Sequence, residues 1–263
     1  MAERLRPGRL DDEVAVVTGS TSGLGRVIAE RFAAEGAAVL VTGRNEGRGR
    51  AVVDAIAAAG GQVAFLAADL SDAEQRAALV AGAEAAFGPV TVLVNNAVAN
   101  TGVSDGPVAS VTTATWAQVL EVDLIAAADL CRSAIESMRR AGHGSIVNIS
   151  SRAASVGTPG LAVYSAAKGG LNALTRSITA DYARDGIRAN TVQPGYILHE
   201  RRDADLDAAR RARLAGMSLT RLATADDVAA AALFLAGRES EVISGITLAV
   251  DGGSTAVRGL TLG

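Results

Sequence analysis

Short runs of β-branched and aliphatic residues alternate along this chain with longer alanine-rich stretches in which apolar positions recur every three or four residues. The segments "EVAVVT", "AAVLVT", "GQVAFLA", "VTVLVN", "GSIVNIS", "IRANTVQ" and "ITLAVD" read as strands, and residues 24–35, 71–87 and 115–140 read as helices between them. Strands that are apolar on both faces cannot leave one face in water, and parallel neighbours need a crossover long enough to hold a helix. The pattern therefore predicts an α/β protein with a doubly wound parallel sheet of about seven strands, covered by helices on both faces. Local signals agree: Ser71 and Glu74 have capping-box spacing, and Gly36 stands as a stop after "AERFAAE". No repeat, low-complexity tract or linker divides the chain, so a single domain over residues 1–263 is expected. Residues 199–220 break the rhythm. This charged, arginine-rich stretch is expected to be a lid inserted over the site, with Leu206, Ala209, Leu214 and Met217 as the inward stripe of a helix.

Composition narrows the function. Of 263 residues, 49% are hydrophobic, 20% charged and 3% aromatic, so the core must be built largely from Ala, Val, Leu and Ile. A net charge of −3 with both signs scattered offers no basic face to nucleic acid and no polybasic strip to a membrane. No apolar run approaches the ~20 residues that span a bilayer, and "MAERLRPGRLDDE" is too charged for a signal-peptide core, which points to the cytoplasm. Cys131 is the only cysteine, which excludes an intrachain disulfide and a thiolate cluster; its context reads as a buried helix face. No set of residues is spaced as a metal site, and His143 in "AGHGS" reads as a loop residue.

Two clusters carry candidate chemistry. In "VAVVTGSTSGLG", Gly19, Gly23 and Gly25 lie between a strand and a helix. Glycine there permits positive φ and close backbone approach, while free N–H groups and the helix dipole face an anion, for which a dinucleotide pyrophosphate is the natural guest. Farther on, Tyr164 and Lys168 are four residues apart on a predicted helix, which stacks an ammonium beside a phenol on one face. A free phenol titrates near ~10, and a close cation favours the phenolate. Lowering that value by two to three pH units asks about 3–4 kcal/mol of the site, within reach of one poorly solvated cation. Such a tyrosine can give a proton to a carbonyl oxygen in reduction and take it back in oxidation.

In order and separation, "TGSTSGLG", "NNA" at residues 95–97, Ser151, the Tyr164/Lys168 pair and "PGYI" at residues 194–197 resemble the short-chain dehydrogenase/reductases. The resemblance runs from about Val14 to Gly253, and the glycine spacing is similar to that of the family's short-subunit branch. It implies a Rossmann-type fold, a nicotinamide cofactor, a small-molecule carbonyl or alcohol substrate and a homo-tetramer. Cofactor contacts are implied for Gly19, Thr21, Ser22, Gly23, Leu24, Gly25, Asn96, Pro194, Gly195 and Ile197, with Asp69 accepting from the adenine amine and Leu70 packing the ring. Ser151 is implied to bond the substrate oxygen, Tyr164 to exchange the proton, and Lys168 to lower the tyrosine pKa and hold the nicotinamide ribose.

The end of the second strand speaks to the cofactor's phosphate. A dehydrogenase preferring NAD usually carries a carboxylate there for the ribose hydroxyls; this chain has Gly43 followed by Arg44, whose guanidinium suits a 2′-phosphate, so NADP(H) is expected over NAD. Three departures from the family pattern stand out. Asp123 replaces an asparagine credited with a proton-relay water, Val98 replaces the last residue of "NNAG", and His199 falls where a threonine is common. Asp123 is expected to remain a relay member. Substrate choice is expected from residues 98–112, 152–161 and 199–220. Two other classes are a cofactor-free lyase on the same scaffold, against which Lys168 and the intact glycine turn count, and a nucleotide-sensing binding protein, against which Ser151, Tyr164 and Lys168 count.

Overall fold

The computed structural model describes residues 8–99, 105–198, 203 and 205–257. Its seven strands are β1 (Val14–Val17), β2 (Ala38–Gly43), β3 (Val63–Ala67), β4 (Val92–Asn95), β5 (Gly144–Ile149), β6 (Ile187–Pro194) and β7 (Thr247–Val250). All pair in parallel in the order β3-β2-β1-β4-β5-β6-β7, the Rossmann-type arrangement expected from the alternation of strands and helices. The chain winds outward in one direction as far as β3 and in the other from β4. β1 and β4, in register as Val17 against Val94, therefore flank the switch point where a crevice opens above the strand ends.

Eight α-helices cover the sheet among the described residues: α1 (Gly23–Ala34), α2 (Glu46–Ala58), α3 (Ala73–Phe87), α4 (Thr113–Leu120), α5 (Ala126–Ala141), α6 (Ala162–Tyr182), α7 (Ala208–Ala215) and α8 (Ala225–Ala236). Alternate strand residues face opposite layers. Ala15 and Val17 join Ile28, Phe32, Val228 and Leu233 on the side of α1 and α8, whereas Val14 and Val16 join Leu79, Leu130, Met138 and Ile178 on the side of α3, α5 and α6. Each such side chain, removed from water, contributes roughly 1.5–3 kcal/mol, which fixes strand register because a one-residue slip would invert both cores.

Three local expectations are corrected. The cap of α3 is Asp72, which accepts from the N–H groups of Glu74 and Gln75; the Ser71 hydroxyl instead donates to Asp69. Aspartate caps as well as serine does, and the serine was already engaged. The run 115–140 is interrupted: a π-helical turn, Glu121–Ile125, separates α4 from α5. Buried Arg76 pins that turn, bonding the Leu70 carbonyl, Glu121 and Asp129 at once. In the expected lid, α7 has no buried residue; Leu206, Leu214 and Met217 are half-buried and Ala209 is exposed, so the predicted inward stripe does not form. The helix spans only Ala208–Ala215, so Leu206 and Met217 lie beyond its ends, and within it Leu214 alone is half-buried.

Candidate active site

The glycine turn joins β1 to α1. Gly19 and Gly23 have φ of +65° and +54°, in the left-handed region that side chains avoid. Gly25 is demanded by crowding instead: a Cβ there would lie 2.5 Å from both Asn96 Nδ2 and the Gly19 carbonyl oxygen. The turn is stitched to its neighbours. Thr18 Oγ1 accepts from the N–H groups of Asn96 and Ala97 at 2.9 and 3.0 Å, Asn96 Nδ2 donates to the Thr18 carbonyl at 2.9 Å, and the Thr42 N–H donates to Ser20 Oγ at 3.0 Å. Ser22 stands at the N-cap of α1 with no side-chain cap bond, and the first turn carries no acidic residue. Half-buried Ser22 and Leu24 flank this end of α1. Its N–H groups and dipole thus face the crevice side of the turn without a competing anion, which fits a dinucleotide pyrophosphate.

At the ends of β2 and β3 the surroundings are wetter. A Cβ on Gly43 would lie 2.9 Å from both Oγ1 and Cγ2 of buried Thr21. Arg44 is exposed, with Nη1 3.8 Å from Asp69 Oδ2. Asp69 Oδ1 accepts from the N–H and hydroxyl of Ser71, and the backbone bond is the main reason its carboxyl sits below the usual range. Leu70 beside it is buried.

The central cluster lies above β4, β5 and β6. Ser151 follows β5 and opens a short 3-10 turn, Arg152–Ala154, its Oγ accepting from the Ala153 N–H at 3.2 Å. Tyr164 and Lys168 lie one turn apart on α6; Lys168 Nζ stands 5.7 Å from the centre of the tyrosine ring and donates to the Ile149 carbonyl at 3.1 Å. Asp123, on the π-helical turn, places Oδ2 3.8 Å from Nζ, while its Oδ1 accepts from the Ala99 N–H. Both side chains are 1% exposed. Burial pushes the lysine down from its ordinary value and Asp123 partly restores it; burial likewise pushes Asp123 up, against the lysine's pull. A cavity of about 10 Å³ adjoins them, lined by Thr18, Asn95, Asp123 and Lys168, and the buried Asn95 Oδ1 has no hydrogen-bond partner among the described residues. That is room for about one water.

The "PGYI" turn completes the rim. Pro194 ends β6 and is buried, Gly195 packs so closely that a Cβ would lie 2.9 Å from Asp251 Cα, and half-buried Ile197 bridges to Ala223. Tyr196 donates its hydroxyl to Asp203 Oδ1 at 2.8 Å, tying the turn to the segment before α7. His199 lies outside the described residues, as do residues 200–202 and 204 of the expected lid. Val98 is 50% exposed. His143 pairs with Glu13 in the loop before β5, and Cys131 is buried as expected, its thiol pushed up to about 12 by burial.

One residue escaped the sequence reading. Asp105 bonds the N–H groups of Val163 and Tyr164, at the start of α6, with its two carboxylate oxygens. In "SDGPVAS" it carries only the signal of turn chemistry, and nothing local pairs it with a helix 58 residues away.

Comparison with known proteins agrees with this geometry. A protein-family profile described as enoyl-(acyl carrier protein) reductase matches residues 19–255. The chain is 40% identical over 251 residues to cis-4-hydroxycyclohexanecarboxylate dehydrogenase of Sinomonas cyclohexanicum, covering 94% of this chain and 98% of that one. It is 35% identical to a 3-oxoacyl-(acyl-carrier-protein) reductase of Chlamydia muridarum, covering 93% and 98%. The solved structure of a gluconate 5-dehydrogenase from Burkholderia cenocepacia J2315 in complex with NADP and tartrate superposes with a TM-score of 0.87 at 32% identity, over 95% and 98% of the two chains.

Proposed function

Because the chain belongs to the short-chain dehydrogenase/reductase family, NAD(P)-dependent oxidoreductases of alcohols and carbonyls, we propose that it works with NADP(H) and that Tyr164 handles the proton. The observation that carries this reading is the fully buried Lys168 ammonium 5.7 Å from the Tyr164 ring centre. With little water around it, that charge acts on the phenol through a low dielectric and favours its ionised form.

When bound, the nicotinamide ring supplies or accepts the hydride. The residues that hold the cofactor are Gly19, Ser22, Gly23, Leu24 and Gly25 at the pyrophosphate end, Thr21 and Arg44 at the 2′-phosphate, Asp69 and Leu70 at the adenine, and Asn96, Tyr164, Lys168, Pro194, Gly195 and Ile197 toward the nicotinamide. Ser151 Oγ hydrogen-bonds the substrate oxygen and fixes its distance from Tyr164, which donates the proton in reduction and accepts it in oxidation. Asp123 and Lys168 pass protons through the water-sized cavity beside them. Arg44 selects the 2′-phosphate: it is exposed, and its existing partner Asp69 is 3.8 Å away in solvent, so a phosphate can replace that pairing.

Substrates are small alcohols or ketones. Arg152, half-buried immediately after Ser151 and without an ion pair among the described residues, puts hydroxy and oxo acids first in any panel. We extend the reading to a single domain and a homo-tetramer; on α6, Gly169 opens onto free space where a neighbouring helix can approach, while Gly170 is filled by Leu124 of the same chain. The test is to follow NADPH and NADH absorbance at matched concentrations against oxo acids, ketoacyl thioesters and sugars, with wild type and Tyr164→Phe. NADPH is expected to be preferred, and the variant to lose turnover by at least about a hundredfold while still binding cofactor. Preference for NADH by tenfold removes the role of Arg44, and turnover surviving in Tyr164→Phe assigns the proton to another group.

A further inference from the structure

Helix α6 carries both Tyr164 and Lys168, yet its own N-cap, Leu161, offers no side-chain cap bond. The N–H of Ser165 is the first to close a helical turn, onto the Leu161 carbonyl at 2.9 Å. The three N–H groups before it, on Ala162, Val163 and Tyr164, have no partner within the helix. All three end on two residues from far away in the sequence. Ala162 donates to the Gly106 carbonyl at 3.3 Å, Val163 to Asp105 Oδ1 at 3.1 Å, and Tyr164 to Asp105 Oδ2 at 2.8 Å. Asp105 Oδ1 also accepts from the Gly106 N–H at 2.7 Å, which holds the carboxylate against its own backbone. The negative charge sits at the positive end of the α6 dipole, so bonds and field act together.

We infer that Asp105 is a positioning residue for the reaction: from the segment between β4 and α4 it clamps the backbone of Tyr164 and so fixes where the phenol stands. The inference rests on Tyr164 being the proton-transferring residue. Its physical basis is that the clamp includes the N–H of Tyr164 itself. A tyrosine in the first turn of an uncapped helix frays with that turn, whereas proton transfer demands a hydrogen-bonding distance held to a fraction of an ångström. Lys168, one turn deeper and bonded to Ile149, does not depend on the clamp in the same way. Loss of Asp105 should therefore separate Tyr164 from Lys168 functionally, impairing turnover while the cofactor contacts other than Tyr164 keep NADPH affinity nearly unchanged.

The experiment compares wild type with Asp105→Ala and Asp105→Asn in the full-length protein, measuring kcat and KM with the best substrate of the panel, NADPH dissociation by fluorescence, and amide hydrogen exchange without ligand. Asp105→Ala is expected to lower kcat about 10- to 100-fold, with the NADPH dissociation constant and KM moving less than about threefold. Asp105→Asn keeps one acceptor oxygen and is expected to recover most of the loss. Exchange at Val163 and Tyr164 is expected to quicken in Asp105→Ala while residues 171–178 of the same helix stay protected. A fall in kcat matched by loss of NADPH affinity, an asparagine variant as poor as alanine, or unchanged exchange at residues 163–164 overturns the inference. Should Asp105→Ala not fold, the exchange and kcat of Asp105→Asn decide alone, since losing one of two bonds must still quicken exchange at one of the two amides. A wild type inert toward every substrate with faster exchange in the variant refutes the assigned reaction and leaves the clamp standing.

Discussion

Two cation–carboxylate pairs beside the candidate site stand at the same separation, 3.8 Å: Lys168 with Asp123, and Arg44 with Asp69. Their surroundings are opposite. The first pair is 1% exposed on both sides, the second 59% and 40%. Equal distance therefore buys unequal chemistry, because water screens the outer pair to about 0–1 kcal/mol while desolvation dominates the inner one. Inside, burial presses both groups toward their neutral forms and each partner resists that pressure on the other. Outside, the exposed guanidinium can trade one anion for another. The site is thus electrostatically rigid around Lys168 and permissive beside Arg44.

The strongest way to break the comparison is Lys168→Met, which leaves Asp123 buried without its cation. It is expected to cost about 3 kcal/mol of stability at neutral pH and to reduce turnover by at least about a hundredfold. The pH dependence has a definite sign. In wild type the folded lysine titrates below its ordinary 10.5, so in the window between the two values the unfolded chain binds more protons and stability rises with pH. Denaturant titrations should show that rise in wild type and its absence in Lys168→Met; an identical slope in both would mean the inner pair is solvated after all.

Next in size is Asp123→Asn, which removes the charge and keeps an acceptor for the Ala99 N–H. Turnover at neutral pH is expected to stay within about tenfold, or about 1.4 kcal/mol. Because Asp123 raises the pKa of Lys168, the variant should lose activity at a lower pH on the alkaline side of its rate profile. A loss beyond about a hundredfold, or an unmoved alkaline limb, gives the carboxylate a different role from the one argued here.

The smallest effect belongs to the outer pair. A double-mutant cycle of Arg44→Gln and Asp69→Asn on thermal stability should yield a coupling of at most about 0.5 kcal/mol that fades in high salt, while Arg44→Gln alone weakens NADPH about tenfold and leaves NADH unchanged. A coupling above 2 kcal/mol, on the scale of buried pairs, would erase the contrast between the two sites.

What the amino-acid order announced follows the same divide. Strand alternation, the glycine turn and the Tyr164/Lys168 spacing are short-range patterns tied to backbone geometry and burial, and the structure brings them together above the strand ends. Choices between near-equal local options were not legible. Asp72 took the α3 cap from Ser71, a π-helical turn hid within an unbroken helical pattern, and α7 begins after Leu206 and ends before Met217. Asp105 was illegible for a different reason, since its partners lie 58 and 59 residues along the chain and only the folded sheet brings them near.

The crowding of Gly43 by Thr21 sets what an acidic side chain at residue 43 would have to move. A Cβ there meets the threonine methyl and hydroxyl at 2.9 Å, so a carboxylate greeting a bare ribose needs that side chain to turn or to shrink. Any redesign of coenzyme choice through residue 43 therefore begins at residue 21.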